Sequence, residues 1–338
     1  VSAGGPTSLA DPPAGVPPRR WPRLGLTWLV WRQHRAALAA TLALFAAAAA
    51  LLLATGLPMH ASYRDLGVAG CAPADSARCV TLTGTFAMGY DAWALYMPRL
   101  LEFLPGLVGM FIGAPLVARE FESGTFRFAW TQGRGRTRVL VVRLAWVCAV
   151  AGLAALGLSL LFGWWFAPYE PIQGRIAGGQ AFEVEGLVFA ARTLVAVALG
   201  ALAGALIRRT VPAMAATLVG WLAVMYPTVV FWRQHYRAPV TGPVSSTGEF
   251  GTEWTLSQWW QAPDGRRLDD GTITAIARQA AAQGVRPPEW LRDHGYLQWE
   301  TFQPNSRFWT FQVIETGWLC ALALALAAGA VWWVRRAG

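Results

Sequence analysis

The sequence predicts an all-α polytopic membrane protein, and three observations carry that prediction. Of its 338 residues, 55% are hydrophobic and only 14% charged, with a mean hydropathy of +0.36. Six apolar runs reach the length of about 20 residues that a bilayer requires. Arginines gather in every second connection between those runs, the pattern of cytoplasmic loops.

The six expected spans lie near Ala36–Gly56, Leu100–Ala118, Val139–Phe166, Leu187–Ile207, Val211–Trp232 and Trp318–Val334. Arg19, Arg20, Arg23, Arg32 and Arg35 precede the first. Arg119, Arg127, Arg134, Arg136 and Arg138 separate the second from the third. Arg208 and Arg209 separate the fourth from the fifth, and Arg335 and Arg336 follow the sixth. Six spans put all four groups on one side, so both termini are expected in the cytoplasm.

The other connections fall outside. Residues 57–97 read as a modest loop holding Cys71 and Cys79, close enough for a local disulfide in an oxidising compartment. Cys148 and Cys320 fall within spans, as packing residues. Residues 233–315 form a larger polar and aromatic loop, expected to be a small extracytoplasmic subdomain. Within it DDGTITAIARQAAAQG has a helical pattern, with Asp270 offered as N-cap and Ile273, Ile276 and Ala280 on one face.

Residues 1–20 are rich in Pro, Gly and Ala and read as a disordered tail. Residues 21–338 read as one six-span domain. It opens on an amphipathic helix in which Trp21, Leu24, Trp28 and Trp31 recur at helical spacing among arginines, suited to the headgroup layer.

Composition also excludes. The chain has no lysine, and a P-loop needs one to reach the β/γ-phosphates. The net charge of +9 is therefore arginine alone. Those arginines sit beside apolar runs, which points to membrane lipid and orientation rather than to nucleic acid. The four histidines are scattered without metal-ligand spacing. No set of catalytic side chains is suggested, so neither a catalytic nor a metal site is expected.

The segment AREFESGTFRFAWTQGRGRTR, residues 118–138, interrupts two membrane-length runs. Glu120 and Glu122 precede a turn at Gly124–Thr125. A short aromatic stretch follows, and glycines then punctuate arginines. Such an element, held at the membrane surface, suits docking into a groove on a partner. With its flanks it resembles the loop between the second and third spans of export-type (type-two) permeases of ATP-binding-cassette transporters, in a branch like that of high-GC actinobacteria. There a Glu, a Gly-Thr pair, a short apolar helix and a basic turn follow in order. Arg143 stands where many members carry a Lys early in the third span.

The resemblance implies a coupling helix formed by Glu120, Glu122, Gly124, Thr125, Phe126, Phe128, Trp130, Arg134, Arg136 and Arg138. It implies a separate ATPase subunit that binds ATP and Mg2+, with no cofactor in this chain. It further implies a second permease half, as a homodimer or a paralogue, a bacterial plasma-membrane location, and outward transport.

Within the spans, Gly109 and Gly113 are spaced G-x-x-x-G, as are Gly200 and Gly204, which lets helix backbones approach closely. Arg192 is an ionisable residue inside a span, a functional candidate by its position. Arg192, Gly109, Gly113 and Pro115 are the candidates for a substrate route; close packing within the chain is the other reading of the glycines. Two other functional classes fit the pattern. One is a membrane-embedded enzyme acting on lipid-linked substrates through Asp269 and Asp270. The other is a permease-like sensor or immunity protein. Association with an ATPase discriminates against the first, and vanadate-sensitive transport against the second.

Overall fold

The computed structural model describes residues 24–71, 76–122, 136–176, 181–244 and 252–336. The chain divides into two units, Val1–Ala36 and Ala37–Gly338. Of the first, residues 24–36 are helical; the expected tail at 1–20 lies outside the described residues.

The second unit is mostly helical, and among the described residues six helices are long and apolar enough to cross a membrane. They are Ala39–Asp65, Ala77–Glu122, Thr137–Phe166, Leu187–Ile207, Thr210–His235 and Asn305–Arg336. The fourth has the expected bounds, and the fifth and third differ from expectation by a few residues. The second and sixth are longer than their apolar runs.

The expected loop at 57–97 is corrected: helix runs on to Asp65 and resumes at Ala77, and among the described residues between them Val68–Gly70 form a 3-10 turn. The second helix starts where the Ser76 side chain accepts from the Cys79 N–H at 3.3 Å. It then runs through a polar stretch, in which the Thr81 and Thr85 hydroxyls donate to the carbonyls of Ala77 and Thr81 at 2.8 and 2.9 Å. Hydroxyls satisfied on their own helix lower hydropathy without breaking it. Cys71 and Cys79 are bridged across the turn, with Cα atoms 5.6 Å apart.

The second span is not one regular helix. It breaks at Phe103 before Pro105, and a π-helical turn occupies Gly109–Gly113. That turn lies against the fourth span. A methyl group on Gly109 would come 2.4 Å from the Ala196 carbonyl oxygen, and one on Gly113 would come 2.6 Å from that of Val197. From the other side, a methyl on Gly200 would lie 2.5 Å from the Gly109 oxygen, and one on Gly204 2.5 Å from that of Ala114. The two G-x-x-x-G pairs therefore form one intramolecular seam, backbone on backbone. The fourth span is the most enclosed of the six.

The described residues of 167–186, between the third and fourth spans, are not an open loop. Tyr169, Ile176, Phe182 and Val184 are all buried, so the segment plugs this end of the bundle. Burial raises the Tyr169 hydroxyl well above the usual tyrosine range.

Between the fifth and sixth spans stands a small α+β unit. Strands β1 (Val240–Pro243), β2 (Trp254–Gln261) and β3 (Leu297–Gln303) form an antiparallel sheet in the order β1-β3-β2. Val240 faces Phe302 and Trp259 faces Trp299, with a bulge between Thr255 and Ser257. Two helices, Asp270–Ala282 and Pro287–Asp293, close over Trp260 with Ile276, Ala280, Trp290 and Leu291. The N-cap is Asp269, one residue before the expected Asp270. Its carboxylate accepts from the N–H groups of Gly271 and Thr272 at 3.1 and 3.3 Å and from the Thr272 hydroxyl.

Candidate functional site

Helix order sets Glu122, Arg136 and residues 208–209 at one end of the bundle, and the described residues of 66–76, 167–186 and 236–304 at the other. Each end carries a polar constellation.

At the first end, the second span reaches Glu122, the last described residue before 123–135. Glu120 forms an ion pair with Arg143 of the third span, whose side chain is mostly buried. Glu122 Oε2 accepts from the Thr210 N–H at 3.2 Å and from the Thr210 hydroxyl at 2.5 Å. Thr210 opens the fifth span, and its N-cap residue Arg209 makes no side-chain cap. The first N–H groups of a helix lack intrahelical acceptors, so the second span supplies one from 88 positions away. Arg208 closes the fourth span in the left-handed conformation at φ 58°, its N–H donating to Gly204 O at 3.1 Å. Its guanidinium lies 5.2 Å from the centre of the Phe121 ring. The root of the 118–138 segment is thus tied to the third, fourth and fifth spans together.

Of the expected coupling residues, Glu120, Glu122 and Arg138 are placed, and Arg136 begins the long third helix. Gly124, Thr125, Phe126, Phe128, Trp130 and Arg134 lie outside the described residues.

At the opposite end, Arg192 of the fourth span, Arg233 of the fifth, Glu315 of the sixth and Glu183 of the 167–186 plug form a closed array. Arg192 pairs with Glu183, and its Nη2 lies 2.8 Å from Glu315 Oε1. Arg233 donates to Glu183 through both Nη atoms, and to Glu315 through Nε at 2.9 Å and Nη2 at 3.0 Å. Each arginine therefore meets both glutamates, and the formal charges cancel. All four are at most 2% exposed, and the Arg233 guanidinium lies 4.2 Å from the centre of the Phe182 ring. Gln312 completes the packing: its amide N–H groups donate to the carbonyls of Phe182 and Glu185, and its oxygen accepts from Val188 N–H at 2.9 Å.

Neighbouring groups extend the array. The Tyr236 hydroxyl donates to Glu315 Oε2 at 3.4 Å and accepts from Trp318 Nε1 at 3.0 Å. Burial, then the Glu315 charge, raises it well above the ordinary tyrosine range. Glu185 pairs with Arg175, yet burial pushes its carboxyl up. Arg175 lies 4.0 Å from the centre of the Phe308 ring, and its backbone N–H donates to Asn305 Oδ1 at 2.9 Å.

Sequence reading singled out Arg192 but missed its partners. Glu183 stood in an assumed loop, Arg233 at a span boundary, and Glu315 in what read as the approach to the sixth span. The usable signal was FQVIETGW, a lone acid in an aromatic and apolar helical pattern. As for the other route candidates, Gly109 and Gly113 lie in the glycine seam, and Pro115 follows the π turn. Among the described residues, no three His, Cys, Asp or Glu side chains converge as a metal site would require.

Six membrane-length helices, with a buried neutral array at one end and a segment rooted across three spans at the other, make a multi-pass membrane protein. Residues 29–233 match the family described as ABC-2 membrane transporter related, and the chain belongs to that family. Neither curated proteins nor solved structures gave a match to the chain.

Proposed function

We propose that this chain is the membrane-spanning half of an exporter, driven by a separate ATPase that docks on the 118–138 segment. The observation that carries the reading is the root of that segment. Glu120 and Glu122 are not free loop charges but are bonded to Arg143 and Thr210, so a displacement there bears directly on the bundle. Family membership supports a separate ATPase, since permeases of this kind generally work with one. ATP and Mg2+ are then the partner's, and a second permease half completes the route.

The sidedness follows from the arginines, with the 118–138 segment and both termini in the cytoplasm of a bacterial cell. The Cys71–Cys79 bridge at the other end suits an oxidising exterior. In this reading the subdomain between β1 and β3 is extracytoplasmic. Arg192, enclosed by two carboxylates, serves as a strut that holds the outer ends of the last three spans together, rather than as a substrate contact.

Co-purification tests the docking. The detergent-solubilised chain is expected to retain an ATP-binding-cassette ATPase of its own host. A Phe126→Ala/Trp130→Ala/Arg134→Ala variant that still reaches the membrane is expected to lose it. Equal retention by both, or by neither across the host's ATPases, contradicts the reading.

A further inference from the structure

The coupling loop leads by sequence into the second and third spans, yet its root is also bonded to the start of the fifth. We propose that Glu122 and Thr210 form the link that passes movement of the 118–138 segment to the fifth span. This rests on the ATPase docking proposed above and adds the path of the motion beyond it.

Three features make the link stiff. The Glu122 carboxylate holds both the N–H and the hydroxyl of Thr210, and a carboxylate at a helix N-terminus is further favoured by the helix dipole. The turn before Thr210 has only Arg208 and Arg209, with Arg208 already in a left-handed backbone conformation that side chains rarely adopt. It has no slack to absorb a shift of the second span. Finally, the Arg208 guanidinium lies over the ring of Phe121, next to Glu122 in sequence, so the turn is held from both sides.

The far end of the fifth span is fixed as well. Arg233 is bonded into the buried array with Glu183 and Glu315. A π-helical turn at Thr228–Trp232 stands just before it. A displacement delivered at Thr210 therefore acts on a helix anchored at its other end, with one irregular turn near the anchor. Such turns are frequent at functional sites. Thr210 and Glu122 are positioning residues in this scheme: the fifth span moves through them, and neither touches the transported molecule.

The variant Thr210→Val removes the hydroxyl donor and keeps the backbone N–H and the side-chain shape. Thr210→Ser keeps the donor. Spin labels on cysteines placed at the exposed positions Val219 and Leu160 report the distance between the fifth and third spans. The chain is measured in lipid nanodiscs with its ATPase, nucleotide-free and after trapping with ATP and vanadate.

The wild type is expected to change that distance on trapping. Thr210→Val is expected to lose at least half of the change while binding the ATPase within twofold of wild type, and Thr210→Ser to keep it. A full distance change in Thr210→Val, or none in the wild type with ATPase bound, overturns the link while leaving docking intact. Failure of the wild type to bind any ATPase overturns docking itself, and the link with it.

Discussion

Arg233 and Glu315, 82 positions apart, face each other across the base of the subdomain, with Nε 2.9 Å from Oε2. One ends the fifth span and the other lies in the first turns of the sixth helix. The two stalks that carry the subdomain are thus joined at the point where they enter the bundle, and Arg192 and Glu183 brace the joint from the fourth span and the plug.

Removing one member leaves an uncompensated buried charge, which costs about 3–5 kcal/mol. Glu315→Gln is therefore expected to lower the thermal midpoint of the detergent-solubilised protein sharply. Glu183→Gln alone leaves two arginines facing one carboxylate, whereas Glu183→Gln/Arg192→Gln restores neutrality. The double variant is expected to be more stable than Glu183→Gln. A double variant that shows the plain sum of two losses contradicts the closed array.

The glycine seam has no room for side chains. Gly200→Ala places a methyl 2.5 Å from the Gly109 oxygen and 2.6 Å from the Ala114 nitrogen, so the helices must part. Overpacking of this kind costs about 1–3 kcal/mol. Gly157, with open space around its Cα, is the control. Gly157→Ala is expected to leave the midpoint unchanged, and Gly200→Ala to lower it.

Asp269 gives a pH prediction. Hydrogen bonds from the Thr272 hydroxyl and backbone hold its carboxyl below the usual range. A depressed folded-state value means that the cap stabilises the helix above the unfolded value of about 4. That contribution is lost as the pH falls through the lower, folded-state value. The protection of the 270–282 amides against hydrogen exchange, corrected for the pH dependence of the intrinsic rate, is expected to fall on acidification in the wild type. In Asp269→Asn, whose cap does not titrate, it is expected to show no such step. An identical pH response in both rules out the cap as its cause.

Sidedness can be read from the first hairpin. Cys79→Ser leaves Cys71 as a free, partly exposed thiol. A membrane-impermeant maleimide is expected to label it in intact cells. Labelling that requires permeabilisation reverses the orientation.

The spans were legible because an apolar run of bilayer length is an unambiguous signal, and the fourth was located to the residue. The second was not, since Thr81, Thr85 and Asp91 lower its hydropathy while its hydroxyls bond within the helix. The glycine pairs were visible, but their mutual contact was not: it depends on two spans about 90 residues apart meeting in register. The same holds for the sites. Glu122 stood out as part of a motif, whereas its partner Thr210 carried no local sign of being capped from elsewhere. Arg192 was conspicuous as a charge in an apolar run, whereas Glu183 and Glu315 looked like ordinary acids near a surface.

Contact between 118–138 and an ATPase is the central claim. The most direct test is photo-crosslinking from Phe128 replaced by a benzoylphenylalanine, in membranes that also contain the host's ATP-binding-cassette ATPases. A covalent adduct with one such ATPase is expected, altered in yield by trapping with ATP and vanadate. A Phe128 position that captures no ATPase, while the protein is folded and in the membrane, would contradict the claim.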